Sequence, residues 1–501
     1  MNDDLKSYHQ LEKAFQEISL LQEIINLLDW DMNTVMPLNA SGGRGEQLAF
    51  LKVKLHQQLT APEMEGLLEK SLAAKEKLTH WQQANILEMK RHWIHAAAVP
   101  EDLVNKLALS SNRCEKKWRL AKQQGDFSIV QEELTMLVAL TREKAMIKAE
   151  KLDCEPYDAL LNQYEPGLTM KQLNPIFQDL QSFLPNFVKQ VTAKQKNNKR
   201  PENPKMAVGN QIQIIRQIIQ AMSFDFESGR LDSTLHSFSS GSMDDLRVAV
   251  HFEETNFLSG LMGATHEIGH AFYEHGLPEA WRYQPVGWAR GMALHESQSL
   301  IWEKQVGQTQ EFWDFLAAFL QPKLLPPYDK WRFDHLYQMS NYVRPSFIRT
   351  EADEVTYPLH IILRYNIEQG LISGQLKVAD IPDVWNEQMH NLLGVVPTSD
   401  REGCLQDIHW YEGSFGYFPT YSLGALMAAQ LFEAALKQMP SLKEKIAQGQ
   451  FGDFRNWLRT QVHQKASVYS TNQILEQATG TGLTTKSFKK HLQQRYLNLL
   501  S

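Results

Sequence analysis

The run Ala264-Thr-His-Glu-Ile-Gly-His270 sets His266 and His270 four residues apart with Glu267 between them. On an α-helix, positions four apart differ by about 40° around the axis, so both imidazoles leave one face. Glu267 lies about 100° from the first ring and 60° from the second, within reach of whatever sits between them. Two neutral ring nitrogens suit a divalent cation, and a carboxylate beside the cation's water suits a general base. The chemistry implied is metal-assisted hydrolysis. With 17 His and at most 58 Glu among 501 residues, chance supplies only about 0.07 such patterns. The flanks, Phe257-Leu-Ser-Gly-Leu-Met262 and Ala271-Phe-Tyr273, are apolar. Two histidines and an acid in such a helix are costly to bury unless a cation compensates them.

A catalytic zinc site takes three protein ligands and keeps one position for water. Leu294-His-Glu-Ser-Gln298 supplies the next acid, within a second apolar stretch that reads as helix. Glu296 is the expected third ligand. Glu274 is the alternative by proximity, but one turn past His270 on the same helix it points along the axis instead of across the metal. Attack on a carbonyl also calls for a donor to the developing oxyanion. Tyr417 and Tyr421, in the Gly/Pro-shaped segment Gly413–Tyr421, and His409 just upstream are the candidates. An exopeptidase needs a cation for the substrate's terminal carboxylate, ideally a forked guanidinium. Arg349 is available, although a salt bridge to Glu351, Asp353 or another acid is open to it as well.

The elements that position these residues are mostly helical. Apolar residues recur at helical spacing from Leu5 to Leu28, and the segments 46–59, 62–96, 101–124, 128–152 and 171–193 follow as amphipathic helices. Residues 153–170 read as loop, and 194–201 as a polar surface loop. Ser239–Met243 reads as a turn. Asp245–Phe252 alternates polar with apolar or β-branched residues, the one convincing strand, and stands immediately before the metal helix. Such a strand either hydrogen-bonds an extended substrate or simply belongs to a small sheet. Helix returns at 295–307, 310–321, 328–342, 346–371, 380–392, 421–438, 441–447, 451–461 and 485–499. The expected fold class is therefore mainly α, as a single domain over 1–501, with a small β-sheet beside the metal helix.

A net charge of −7 gives no reason to expect nucleic acid or an anionic membrane as partner. No uninterrupted apolar run reaches transmembrane length. The three cysteines form no CxxC pair, and the acidic start is unlike a signal peptide, so a cytoplasmic protein is expected.

Four motifs in order, His266–His270 with His295-Glu-Ser-Gln298, Ile348-Arg-Thr-Glu-Ala-Asp353, and Gly403-Cys-Leu-Gln-Asp-Ile-His-Trp410, resemble the carboxypeptidase Taq family of metal-dependent carboxypeptidases. The likeness extends to Leu28-Asp-Trp-Asp31 with Met36-Pro37, Pro156–Leu160, Tyr164-Glu-Pro-Gly167 and Gly416–Tyr421. It implies a helical, cleft-forming fold similar to neurolysin and angiotensin-converting enzyme, two helical halves flanking the cleft, and a homodimer. It also implies release of single C-terminal residues from peptides with broad specificity, using zinc first and cobalt second. By that resemblance His266, His270 and Glu296 are ligands and Glu267 is the base. Arg349, Arg247, Gln406, Trp410 and Tyr417 serve the substrate, and Tyr421 and His409 are the catalytic donors. Two departures stand out: Ser237 where the family's His-Pro-Phe has Pro, and Ala249 where its Asp-x-Arg-x-Thr has Thr. An oligoendopeptidase or dipeptidyl carboxypeptidase with the same core, and a non-enzymatic scaffold with a structural metal, are the rival readings.

Overall fold

The computed structural model describes residues 5–195, 203–324, 326 and 328–498. The chain opens with the helices Lys6–Asn33 (α1), Ser41–Leu59 (α2), Pro62–Ala73 (α3), His80–Ala97 (α4), Glu101–Gln124 (α5) and Ser128–Leu152 (α6). Then come Pro156–Tyr164 (α7), Met170–Gln195 (α8) and Val208–Ala221 (α9). Three strands follow: Gly229–Ser233 (β1), Phe238–Ser242 (β2) and Asp245–Val250 (β3). After them run Phe257–Gly276 (α10), Met292–Leu300 (α11), Gln310–Leu320 (α12), Phe333–Ser340 (α13), Tyr357–Ser373 (α14) and Ile381–Leu393 (α15). Pro419–Gln438 (α16), Leu442–Ala447 (α17), Gly452–Gln461 (α18), Thr471–Thr479 (α19) and Lys486–Gln493 (α20) complete the series. This is a large, mainly helical fold with one small sheet among the described residues. None of the described helices is long and apolar enough to cross a membrane.

Helix starts follow local chemistry. Thr79 and Gln82 form a reciprocal capping box at α4. The Asn256 side chain accepts from Ser259 N to start α10. The stretch 62–96, expected as one segment, breaks at residues 74–79 into α3 and α4. The expected loop 153–170 contains α7, opened by Pro156 at its first turn. The expected helix 346–371 begins only at Tyr357, and residues 341–356 are largely irregular. Most of the polar run 194–201 lies outside the described residues.

The sheet has the order β1-β3-β2, with β1 parallel and β2 antiparallel to β3. Leu246, Val248 and Val250 are buried at alternate positions of β3, as its pattern predicts. The segment 239–243 is not a turn: Phe238–Ser242 pairs residue by residue with β3. Few β-branched residues mark it, and pairing with a strong neighbour overrides its weak propensity. β3 is therefore the central strand with both edges occupied, so it cannot take up a substrate strand; β2 is the edge strand beside it. Ser237 Oγ accepts from His251 N at 3.0 Å, a bond that Pro would not provide. Ala249 is fully buried, where a Thr hydroxyl would need its own partner.

Candidate metal centre

Three elements converge on the site. α10 carries His266, Glu267 and His270; α11 carries Glu296; α16 crosses α11 at Gly424. Two glycines permit the approach. A Cβ on Gly269 would stand 2.5 Å from Gln298 O and 2.6 Å from Ser299 Cα, and one on Gly424 would stand 2.7 Å from Glu296 Cγ. Only bare backbone lets these helices draw so close. Gly291, at φ +53°, turns the chain into α11, and the Glu165 carboxylate accepts from Ala293 N at 2.9 Å to cap that helix. The motif Tyr164-Glu-Pro-Gly167 thus holds the helix that bears Glu296. The expected single helix 295–307 is α11 followed by a π-helical turn, Ile301–Val306.

His266, His270 and Glu296 each offer one ligand atom, all within 4.8 Å of one another. Glu296 Oε2 lies 3.7 Å from His266 Nε2 and 3.5 Å from His270 Nε2. Ligands about 2.0–2.2 Å from a tetrahedral zinc stand about 3.3–3.6 Å apart, so the three atoms fit one small cation. The opposite ring nitrogens are tied down. His266 Nδ1 meets Glu303 Oε2 at 2.9 Å, and Lys304 Nζ lies 2.7 Å from Glu303 Oε1. His270 Nδ1 meets His295 Nδ1 at 2.7 Å, and His295 Nε2 meets Glu274 Oε1 at 2.8 Å. These contacts leave both Nε2 atoms facing Glu296 and fix the ring orientations. Glu274 belongs to this outer layer and is not among the three converging groups.

The charges suit a cation. Burial lowers the pKa of His266, but Glu296, Glu303 and Glu267 outweigh it and raise it to about 10. Burial and His295 lower His270 to about 4 despite Glu296. A cation would take the place of the His266 proton. Burial pushes the Glu267 carboxyl up to about 7, against His266 and a Ser239 hydrogen bond and with help from Glu296. A carboxyl so placed can accept and return a proton near neutral pH.

Beside the triad lies a buried cationic cluster. Arg349 is 6% exposed; its Nε and Nη2 donate to Asp407 Oδ1 at 3.0 and 2.7 Å, and Nη1 donates to Tyr357 Oη at 2.7 Å. Of the acids open to Arg349 on the sequence, Asp407 is its partner. Arg364, fully buried, donates to Asp407 Oδ2 at 2.6 Å. Although burial raises a carboxyl's pKa, Arg364 and Arg349 hold Asp407 far below the carboxylate range. Two guanidiniums therefore share one carboxylate. Tyr421 packs 5.0 Å from the Arg349 guanidinium, with the Tyr417 ring 5.3 Å further on. The Glu296 charge is felt by Tyr357, Tyr417 and Tyr421. His409 Nδ1 is buried with no partner among the described residues, and burial, then Arg349 and Arg364, lower its pKa to about 4 against Asp407. It is a neutral ring, able to donate or accept but not to act as a charged acid.

Three residues expected at the substrate have internal partners. Trp410, 3% exposed, donates its Nε1 to Glu368 at 2.8 Å. Glu368 also takes Tyr157 Oη and Gly416 N, and so anchors the loop that carries His409 and Tyr417. Gln406 accepts from Arg349 N at 2.8 Å and donates to Phe347 O at 2.9 Å, holding the Arg349 backbone. Arg247 is paired with Asp245 and lies 4.1 Å from the Trp30 ring, joining the sheet to α1. Glu303, seven residues after Glu296 and so on one face of the expected helix 295–307, is the residue that periodicity could have revealed. Arg364 and Asp407 carried no comparable signal.

The model of the family described as carboxypeptidase Taq (M32) metallopeptidase matches residues 10–496. Carboxypeptidase 1 of Bacillus subtilis is 33% identical over 98% of this chain and 99% of its own. Thermostable carboxypeptidase 1 of Thermus thermophilus is 34% identical, with the same coverage of both chains. The solved structure of Trypanosoma cruzi metallocarboxypeptidase 1 superposes with a TM-score of 0.95 at 36% identity, over 99% of this chain and 100% of that one.

Proposed function

Because this chain belongs to the carboxypeptidase Taq (M32) metallopeptidases, we propose that it removes amino acids one at a time, with broad specificity, from the free C-terminus of peptides. His266, His270 and Glu296 would hold the cation, zinc in preference to cobalt. When bound, that cation supplies Lewis acidity to the scissile carbonyl and acidifies a water beside it. Glu267 takes the proton of the attacking water and returns it to the leaving amine. Tyr421 or Tyr417 donates to the oxygen that gains charge, with His409 as a further neutral donor packed against both rings. Arg349 binds the terminal carboxylate and so sets the register of cleavage.

The observation that carries this reading is the sharing of Asp407 by Arg349 and Arg364. One positive charge is left over in a buried cluster next to the triad. A carboxylate is the chemical complement of that charge, and an internal peptide segment has no terminal one to offer.

The test is Arg349→Ala, assayed by product mass on paired peptides with free and amidated C-termini. Asp407 keeps Arg364 in the variant, so the fold should hold. Turnover of the free peptide should fall on the order of a hundredfold, the worth of a charged hydrogen-bond pair, with metal content unchanged. Equal loss on both peptides, or internal cleavage by the parent protein, would contradict the assignment.

A further inference from the structure

Away from the metal, a cavity of about 550 Å³ opens between α12, α16 and α20. Four cations line it, Lys437, Lys443, Lys490 and Arg495, against two acids, Glu311 and Glu433. Lys443 reaches Glu311 at 3.0 Å, and Lys490 and Lys437 reach Glu433 at 2.7 and 3.2 Å. The lining thus holds a surplus of two positive charges, one of them met by Glu354 beneath it, in a chain whose net charge is −7. Arg495 is only 5% exposed. Its Nη1 donates to Gln308 and to Glu354, and no acceptor among the described residues is bonded to its Nε or Nη2. Forked donors in a recess are the usual seat of a phosphate, sulfate or polycarboxylate.

The same cavity is wired to the metal centre. Beneath it, Glu354 takes Arg495, His491 and Tyr496 at 3.0, 2.9 and 3.0 Å, and Gln305 Nε2 at 3.2 Å. Gln305 lines the cavity and stands on the π-helical turn Ile301–Val306. On that turn Glu303 bonds His266, and Lys304 bonds Glu303. The Glu354 charge also acts on Lys304. A π-helical turn is a strained insertion in a helix, frequent where function depends on a small shift.

We propose that this cavity binds a small multivalent anion on Arg495, Lys443 and Lys490, and that the anion acts on the metal ligand His266 through the turn 301–306. An anion that draws Arg495 from Glu354 leaves the Glu354 charge to Gln305 and Lys304. Lys304 then loosens from Glu303, and Glu303 loosens its hold on His266. The effect is weaker metal retention, a coupling between two separate sites.

Sulfate is the probe, with chloride at equal ionic strength as control, on the metal-loaded full chain. Calorimetry reads binding, and the rate of metal loss to a chelator reads coupling; neither needs peptidase activity. The variant is Lys443→Glu with Lys490→Glu, two side chains about half exposed (50% and 55%), so the fold should not depend on them. Sulfate should bind saturably, at least tenfold weaker in the variant, and should speed metal loss at least fivefold in the parent alone. Unsaturable binding, or equal affinity in the two proteins, would overturn the site. Saturable binding that leaves metal loss unchanged, or faster loss in the variant as well, would overturn the coupling.

Discussion

Gly269→Ala probes the contact on which the triad depends. The added Cβ would meet Gln298 O at 2.5 Å and Ser299 Cα at 2.6 Å, where ordinary contact begins at 3.4 Å. Both obstacles are backbone, so α10 and α11 must separate by the shortfall, about 0.9 Å (3.4 less 2.5). Glu296 sits two residues before Gln298 and rides with α11. A metal site tolerates ligand errors of about 0.2 Å, so a shift of this size moves the acid out of position. The expected loss of metal affinity is at least 10–100-fold, about that of losing an outer-layer partner. Overpacking should also cost about 1–3 kcal/mol in stability. Competition with a chromophoric chelator measures the first quantity, and urea unfolding the second. Gly66→Ala is the control, since a Cβ there meets nothing within 4 Å; it should keep wild-type affinity and match or exceed wild-type stability. Wild-type metal affinity in Gly269→Ala would refute the reasoning.

Glu267→Gln should retain one metal per chain and lose turnover by about 10²–10⁴-fold, since the amide cannot accept the proton; undiminished activity in metal-loaded protein would remove its role as base. The Glu354 carboxyl, raised by burial but lowered further by His491 and Arg495, ends at about 2. Its folded pKa lies below the unfolded value of 4.5, so its contribution, about 3 kcal/mol, is complete above pH 4.5 and is lost as pH falls towards 2. Unfolding free energies of parent and Glu354→Gln should therefore converge over that window, and a gap independent of pH would count against the ion pair.

Legibility in the sequence followed the period of the signal. His266, Glu267 and His270 lie within one helical turn, and their relation is readable because a helix repeats every 3.6 residues. Glu296 is reachable as the acid of a second apolar helix, the usual source of the third ligand for a two-histidine site. The pairing of Arg349 and Arg364 with Asp407 was not, for it joins residues 58 and 43 positions apart and no local period encodes such a contact. Ser239-Ser-Gly-Ser carries turn residues and so predicts a turn where β2 lies; only the neighbouring strand makes it extended. Trp410 and Gln406 sit in a chemically suggestive motif, yet their bonds run to Glu368 and to the Arg349 backbone. A motif marks a neighbourhood; which member faces the substrate is decided by packing.

The most direct measurement is stoichiometric: strip the protein with a chelator, return zinc or cobalt in fractions of an equivalent, and follow a free C-terminal peptide by mass. Activity should be absent at first, rise linearly to a plateau at one metal per chain, and yield products shorter by single residues. Trimming by the stripped protein, or the same metal-dependent activity in His266→Ala as in the parent, would contradict a cation held by His266, His270 and Glu296 as the seat of the chemistry.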